Sequence, residues 1–217
     1  MTTMDFRIAQ LHLETSKLMG VDFLPIGDEH SEGRTLVDIR TDHDNNCPHC
    51  TVATGYTQTV FGVGNPQAAL MFIGEAPGAE EDAQGIPFVG AAGQKLNQII
   101  DAMGLKRDDV YIANVLKSRP PNNRTPLPSE VELCGTYLHQ QIDSIQPDVI
   151  VTLGSPATKF ILQTNTGITR LRGNWGEYLG IPVMPTYHPA YLLRNYTKET
   201  RQEVWSDMQQ VQQKLFQ

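Results

Sequence analysis

Cysteine is scarce in this chain, with three in 217 residues. A small odd number excludes a disulfide-stapled scaffold, which needs paired cysteines at high density. No apolar run approaches the ~18 residues that a membrane-spanning helix requires. The opening MTTMDFRIAQ lacks the basic-then-apolar layout of a secretory signal, so a soluble cytoplasmic protein is expected. Base is in the minority: 17 Lys+Arg face 24 Asp+Glu, a net charge of −7. That balance argues against a generic nucleic-acid binder, whose phosphate contacts come from Lys and Arg. No repeat or low-complexity tract interrupts the chain, and 40% hydrophobic residues over this length can build a core. Collagen-like and disordered readings are excluded. A single domain over 1–217 is expected, with a loop-rich N-terminal extension at about 1–46.

The charge that is present is uneven. Residues 1–60 hold 9 Asp+Glu against 4 Lys+Arg, whereas 61–217 hold 15 against 13. Three stretches carry no acid: 110–129 with Lys117, Arg119 and Arg124; 149–176 with Lys159, Arg170 and Arg172; and 178–198 with Arg194 and Lys198. They either fold onto one face and give an acidic protein a local basic surface, or are solvated loop charges. Cys47 and Cys50 form C-P-H-C, and Cys134 follows 84 residues after Cys50. A redox C-x-x-C would sit between a strand and a helix; this one lies in a polar, acid-rich stretch, which favours metal.

The rhythm of the chain predicts a helix over 4–19 and a loop-rich lead-in over 20–59. From 68 onward strands and helices alternate. Strands are predicted at 68–74, 110–116, 148–154 and 181–187, and helices at 91–104, 129–145, 155–162 and 197–216. Ser129 is the expected N-cap of the second of these helices, with Glu132 completing a capping box. The pattern predicts a three-layer α/β/α sandwich around a mostly parallel four-stranded sheet. Ligands bind at the carboxyl ends of such strands. That rule selects GEAPGAEED, NVLKSRPPNNRTP, the GS after the third strand, and YHPAYLLRN.

Singly, the residues of these loops are ambiguous. Gly74–Gly78 follows a strand yet matches no nucleotide-binding glycine motif, and the acids Glu80, Glu81 and Asp82 would repel a triphosphate. An acid here suits a developing cation or a held water, or is a helix N-terminal charge. Phe88 could stack a flat ring or belong to the core. Asn114 could read donor and acceptor edges or cap its loop, and His188 could donate to a leaving group or be structural.

In order and together, GEAPGAEEDAQGIPFVGAAGQKL, NVLKSRPPNNRTP and HPAYLLRN resemble the family 4 uracil-DNA glycosylases, an iron–sulfur branch of their superfamily. The resemblance covers about residues 47–195. It implies an enzyme that flips uracil out of DNA and hydrolyses its N-glycosidic bond, leaving an abasic site. It places Phe88 against uracil, Asn114 on its edge and His188 at its O2, where a donor stabilises the anion that departs. Glu75 would hold the water and stabilise the cationic sugar, with Glu81 and Asn123 as helpers. Ala76 stands where some relatives have a water-activating Asp. Leu192, Leu193 and Arg194 would meet the duplex, and Lys117, Arg119 and Arg124 its backbone. The partner implied is uracil-containing DNA, bound by a monomer. Thymine, one methyl larger, must be excluded sterically.

The same resemblance implies a 4Fe–4S cluster on four cysteines. Cys47, Cys50 and Cys134 fall on three of those positions, and Ser118 occupies the remaining one. Serine oxygen is a harder, less acidic donor than thiolate. The expectation is therefore a cluster with a non-cysteine fourth ligand: Ser118, a water, His49 or His139. Zinc, which accepts Cys3His, or no metal are the alternatives. A cross-linking relative carries a basic insertion ending in histidine. Here RPPNNRTPLPSE runs through without one, and no covalent trap is expected. The competing readings are a non-catalytic uracil- or DNA-binding protein on the same fold and a zinc-dependent nucleic-acid module.

Overall fold

The computed structural model describes residues 33–216, so the helix expected at 4–19 lies outside the described residues. Six strands form one sheet: β1 (Val63–Gly64), β2 (Leu70–Gly74), β3 (Tyr111–Asn114), β4 (Val149–Leu153), β5 (Gly176–Tyr178) and β6 (Ile181–Thr186). Their order is β1-β3-β2-β4-β6-β5. The four inner strands are the predicted ones and run parallel. The expected four-stranded sheet is corrected to six by antiparallel edges, β1 on β3 and β5 on β6. Each edge has only two or three residues, too short to show an alternating pattern in sequence.

LMFIG and VIVTL are apolar throughout or nearly so because both faces of these strands are covered. Leu70, Phe72, Ile112 and Val151 face α3 (Ala91–Ala102) and α8 (Lys198–Leu215). Met71, Ile73, Ala113 and Ile150 face α4 (Pro128–Ile145) and α5 (Ser155–Leu162) on the other side. Alternate residues of one strand thus fill two separate cores. Helix α4 begins earlier than predicted: Pro128 is its first residue, and the Glu130 carboxylate accepts the N–H of Leu127 at 2.7 Å. Leu127, not Ser129, is the cap position, because proline is well placed in a first turn.

The lead-in contains a helix the sequence rhythm hides, α1 (Leu36–Asn46). Only Ile39 and His43 of its eleven residues are buried, so no apolar stripe marks it. Its signature is a capping box: the Asp38 N–H donates to Thr35 Oγ1 at 3.2 Å and the Thr35 N–H to Asp38 Oδ2 at 3.0 Å. Three short helices complete the fold: α2 (Ala79–Gln84), α6 (Ile168–Leu171) and α7 (Pro189–Arg194). Strand β2 leads to β3 on one side, while β4 leads to β6 on the other. Adjacent chain directions diverge at the β2–β4 boundary, leaving a crevice beyond the carboxyl ends.

Candidate active site and metal centre

A cavity of about 490 Å³ occupies that crevice, and Glu75, Phe88, Asn114 and His188 all line it. The four arrive on separate loops, after β2, before α3, at the end of β3 and after β6. Gly74 permits the convergence. A Cβ there would collide with Asn114 Oδ1 and stand 2.5 Å from Phe88 Cζ. Phe88 is held in the left-handed region at φ 52°, a strained setting for an aromatic residue, and Gly93 of α3 gives its backbone the room to lie there. Arg107 donates to the Pro87 carbonyl at 2.5 Å and to Asn97 Oδ1 at 2.8 Å, bracing that turn from behind.

Asn114 is 1% exposed, and its Oδ1 is buried with no hydrogen-bond partner. An orphaned acceptor at the end of a core strand costs about 1–3 kcal/mol unless a ligand satisfies it. His188 stacks near Phe88, with ring centroids 5.7 Å apart. Its Nδ1 accepts the Ala190 N–H at 3.1 Å, so the proton of the neutral ring lies on Nε2, leaving that atom a donor. Burial, aided by Arg194, pushes the His188 pKa down to about 4, and the ring is neutral at physiological pH. Burial also raises the Glu75 carboxyl above its ordinary range.

The neighbouring acids have other duties. Glu81 borders the cavity but accepts the N–H groups of Gly78 at 3.1 Å and of Val89 and Gly90 at 2.9 Å each, tying the two cavity loops together. Asp82 is buried and accepts from Thr57 and Gln58. Ala76 and Asn123 line the cavity, and Asn123 Oδ1 accepts from Arg119 Nε at 2.6 Å.

Several cations of the acid-free stretches are turned inward or paired. Lys117, read as a DNA contact, is fully buried: Nζ donates to the Asn114 carbonyl at 2.7 Å and to Gln141 Oε1 at 2.5 Å. Burial brings its pKa down to about 8 against the pull of the thiolates of Cys134, Cys50 and Cys47. Arg172 pairs with Asp207 under β6, and Arg124 forms a two-bond pair with Glu130. Leu192 is corrected as well, being buried with Tyr187 and Val204, whereas its neighbour Leu193 is 45% exposed. Arg124 and Arg194 line the cavity, and Arg119 reaches its wall through Asn123.

Beside the cavity, Cys47, Cys50 and Cys134 share a sealed pocket with Ile39, Phe61, Leu116 and Tyr137. All three thiols are free, and Cys50 and Cys134 Sγ lie 3.7 Å apart. Hydrogen bonds from Cys134 and Cys50 hold the Cys47 thiol far below its ordinary pKa, while Cys47, Cys50 and burial push the Cys134 thiol up. Sulfur also accepts from the backbone, with the Lys117 N–H donating to Cys134 Sγ at 3.2 Å. Ser118 Oγ is 3.4 Å from Cys50 Sγ and 3.2 Å from His49 Nε2. His139 is not among the donors gathered there: it hydrogen-bonds Tyr178 at 2.6 Å and stacks on Phe160. The residue that sequence reasoning missed is His43, of which a ring nitrogen lies with the three sulfurs inside 4.8 Å. Its signal was H-x-x-x-C-x-x-C, since positions four apart on α1 share a face. The donor set fits a metal centre of three thiolates and an imidazole, and not one of four cysteines.

A doubly wound α/β protein with a polar slot at its switch point, flanked by a thiolate pocket, is the class these features define. The sequence model described as the uracil DNA glycosylase superfamily matches residues 61–209. A type-4 uracil-DNA glycosylase of Thermotoga maritima is 46% identical over 176 residues, spanning 80% of this chain and 92% of that protein. One from Archaeoglobus fulgidus is also 46% identical, over 76% of this chain and 86% of its own length. A third, from Sulfurisphaera tokodaii, reaches 48% over 69% and 72%. The chain belongs to the uracil DNA glycosylase superfamily, in its type-4 branch. Among the described residues no helix is long and apolar enough to cross a membrane.

Proposed function

We propose that this protein is a monofunctional uracil-DNA glycosylase that extrudes uracil from DNA and hydrolyses its N-glycosidic bond. The observation that carries the reading is the unpartnered Asn114 Oδ1 in the wall of a cavity shared with Glu75, Phe88 and His188. That oxygen accepts uracil N3–H while the Asn114 amide donates to O4. Cytosine lacks the first group and offers an amino group in place of the second, so both bonds fail. Phe88 stacks on the ring. His188 Nε2–H donates to O2, where negative charge gathers as the bond to C1′ lengthens, and stabilises the transition state more than the substrate. Glu75 stabilises the cationic sugar and holds the water that adds to C1′. Glu81 positions the loops, and Asn123 with Arg119 borders the mouth. Leu193 is the side chain free to fill the vacated stack, with Arg194 on phosphate.

The metal reading is a cluster of the 4Fe–4S type on Cys47, Cys50 and Cys134 with a non-cysteine fourth ligand. A single zinc is the second reading, favoured by one distance: the 3.7 Å between Cys50 and Cys134 Sγ. It matches the roughly 3.8 Å edge of a tetrahedron with ~2.3 Å metal–sulfur bonds. Either group, when bound, would tie the turn after α1 to α4, and Cys134 of α4 accepts the N–H of Lys117, whose Nζ donates to the Asn114 carbonyl. The protein works as a monomer on uracil-containing DNA.

A labelled oligonucleotide with one uracil, incubated with the protein and then with alkali, tests the activity. Cleavage at uracil alone, absent without alkali, is expected. A gel shift with no alkali-labile site would overturn the enzyme in favour of a binding protein.

A further inference from the structure

Among the described residues two buried side-chain polar atoms have no partner, Asn114 Oδ1 and His43 Nε2. The first belongs to the base slot. The second lies outside it, on a histidine that is 0% exposed and borders the three thiols. His43 Nδ1 is 2.9 Å from Asp44 Oδ1. A carboxylate can only accept, so a proton sits on Nδ1, and Nε2 is the ring nitrogen left to turn a lone pair to a metal. Tyr137 packs edge-on against the ring at 4.9 Å, and Phe61 lies at 6.0 Å, so the imidazole is wedged. Asp44 is itself held by Thr59 Oγ1 at 2.9 Å. An imidazole fixed by a carboxylate on one nitrogen, with the other facing cysteine sulfurs, is the arrangement of a metal-binding histidine with its orienting partner.

We infer that His43 supplies the fourth ligand of the metal centre, with Cys47, Cys50 and Cys134, and that Ser118 does not. The inference rests on the reading that the pocket binds metal; donor atoms all within 4.8 Å of one another suit a single tetrahedral ion as they stand, and would have to spread to hold the corners of an iron–sulfur cluster. Ser118 is the weaker candidate because its hydroxyl already has two neighbours in hydrogen-bonding range, Cys50 and His49. Imidazole nitrogen also stands closer to thiolate in softness than serine oxygen does. Asp44 is the positioning residue of the set, aligning Nε2 from outside the pocket.

Protein purified without oxygen is assayed for iron, acid-labile sulfide and zinc, and for the rate at which a chelator strips the metal. His43→Ala is expected to lose metal far faster than the parent, and Asp44→Asn, a change at an exposed position, at least about tenfold faster. Ser118→Ala is expected to match the parent, and His43→Cys to retain metal. Ligand identity is read directly in the parent. Zinc-edge X-ray absorption should show imidazole scattering if the metal is zinc; nitrogen hyperfine coupling from 15N-histidine should appear in the reduced protein if it is iron. Loss of the imidazole signature in His43→Cys would complete the assignment. Metal retention that depends on Ser118 and is indifferent to His43 and Asp44 would overturn it, as would a parent spectrum without imidazole. A parent protein with no bound metal would instead remove the metal reading itself.

Discussion

The base slot and the cysteine pocket are linked by the segment that follows β3, and each contains one unsatisfied buried polar atom among the described residues. They differ in access. The slot opens between loops whose acids and amides grip one another, whereas the pocket is closed by Ile39, Phe61, Leu116 and Tyr137. An open site with an orphaned acceptor suits a ligand that comes and goes. A closed one suits a ligand acquired once and kept. Lys117 joins the two: its Nζ donates to the carbonyl of Asn114, and its own N–H to Cys134 Sγ. The comparison therefore teaches a division of labour, with chemistry on one side of a short segment and mechanical support on the other.

The largest expected effect tests the chemical side. His188→Ala should lower kcat about 10²–10³-fold on a uracil oligonucleotide while leaving KM and metal content nearly unchanged. A KM effect with kcat intact would make His188 a binding residue and blur the division. Next comes the link. Lys117→Met leaves the Asn114 carbonyl and Gln141 Oε1 without their charged donor, at about 1.5–3 kcal/mol for hydrogen bonds to a charged group. Thermal unfolding should show that loss, accompanied by faster release of metal and a lower kcat/KM. If activity falls with metal retention untouched, slot and pocket are independent.

The two regions were not equally legible in the sequence. The four inner strands could be read because both their faces are buried, and the rule that ligands sit at carboxyl ends then selected the loops of Glu75, Asn114 and His188. Helix α1 was hidden, since it buries only Ile39 and His43 in the pocket, with Cys47 just past its end, while its seven other polar residues stay at the surface. His43 was overlooked for the same reason: a histidine in a polar run looks like surface. Lys117 and Leu192 misled in the opposite direction, because a basic or exposed-looking residue in a functional loop can turn inward. Charge counts record residue types, and only the fold records which way each points.

A smaller effect probes the geometry of the slot. Gly74→Ala drives a methyl group into Asn114 and Phe88, and overpacking of this kind costs about 1–3 kcal/mol. Uracil excision should fall more than tenfold, with metal content unchanged. A Gly74→Ala protein as active as the parent would mean that Asn114 and Phe88 need not meet over the end of β2.

The finest test is the pH profile of kcat/KM, which reports groups of the free enzyme. Burial raises the Glu75 carboxyl, so as pH falls its working anion is lost earlier than an ordinary glutamate near 4.3 would be. Burial lowers His188 to about 4, so this ring is already neutral where a free histidine, near 6.5, is still titrating. The acid limb should therefore have the slope of one proton, belong to Glu75, and show no second inflection near 6.5. Glu75→Gln should lower the plateau and flatten the limb, whereas His188→Gln should lower the plateau and keep it. A limb that survives in Glu75→Gln and vanishes in His188→Gln would exchange the two roles, making the histidine the titrating group and the glutamate a bystander.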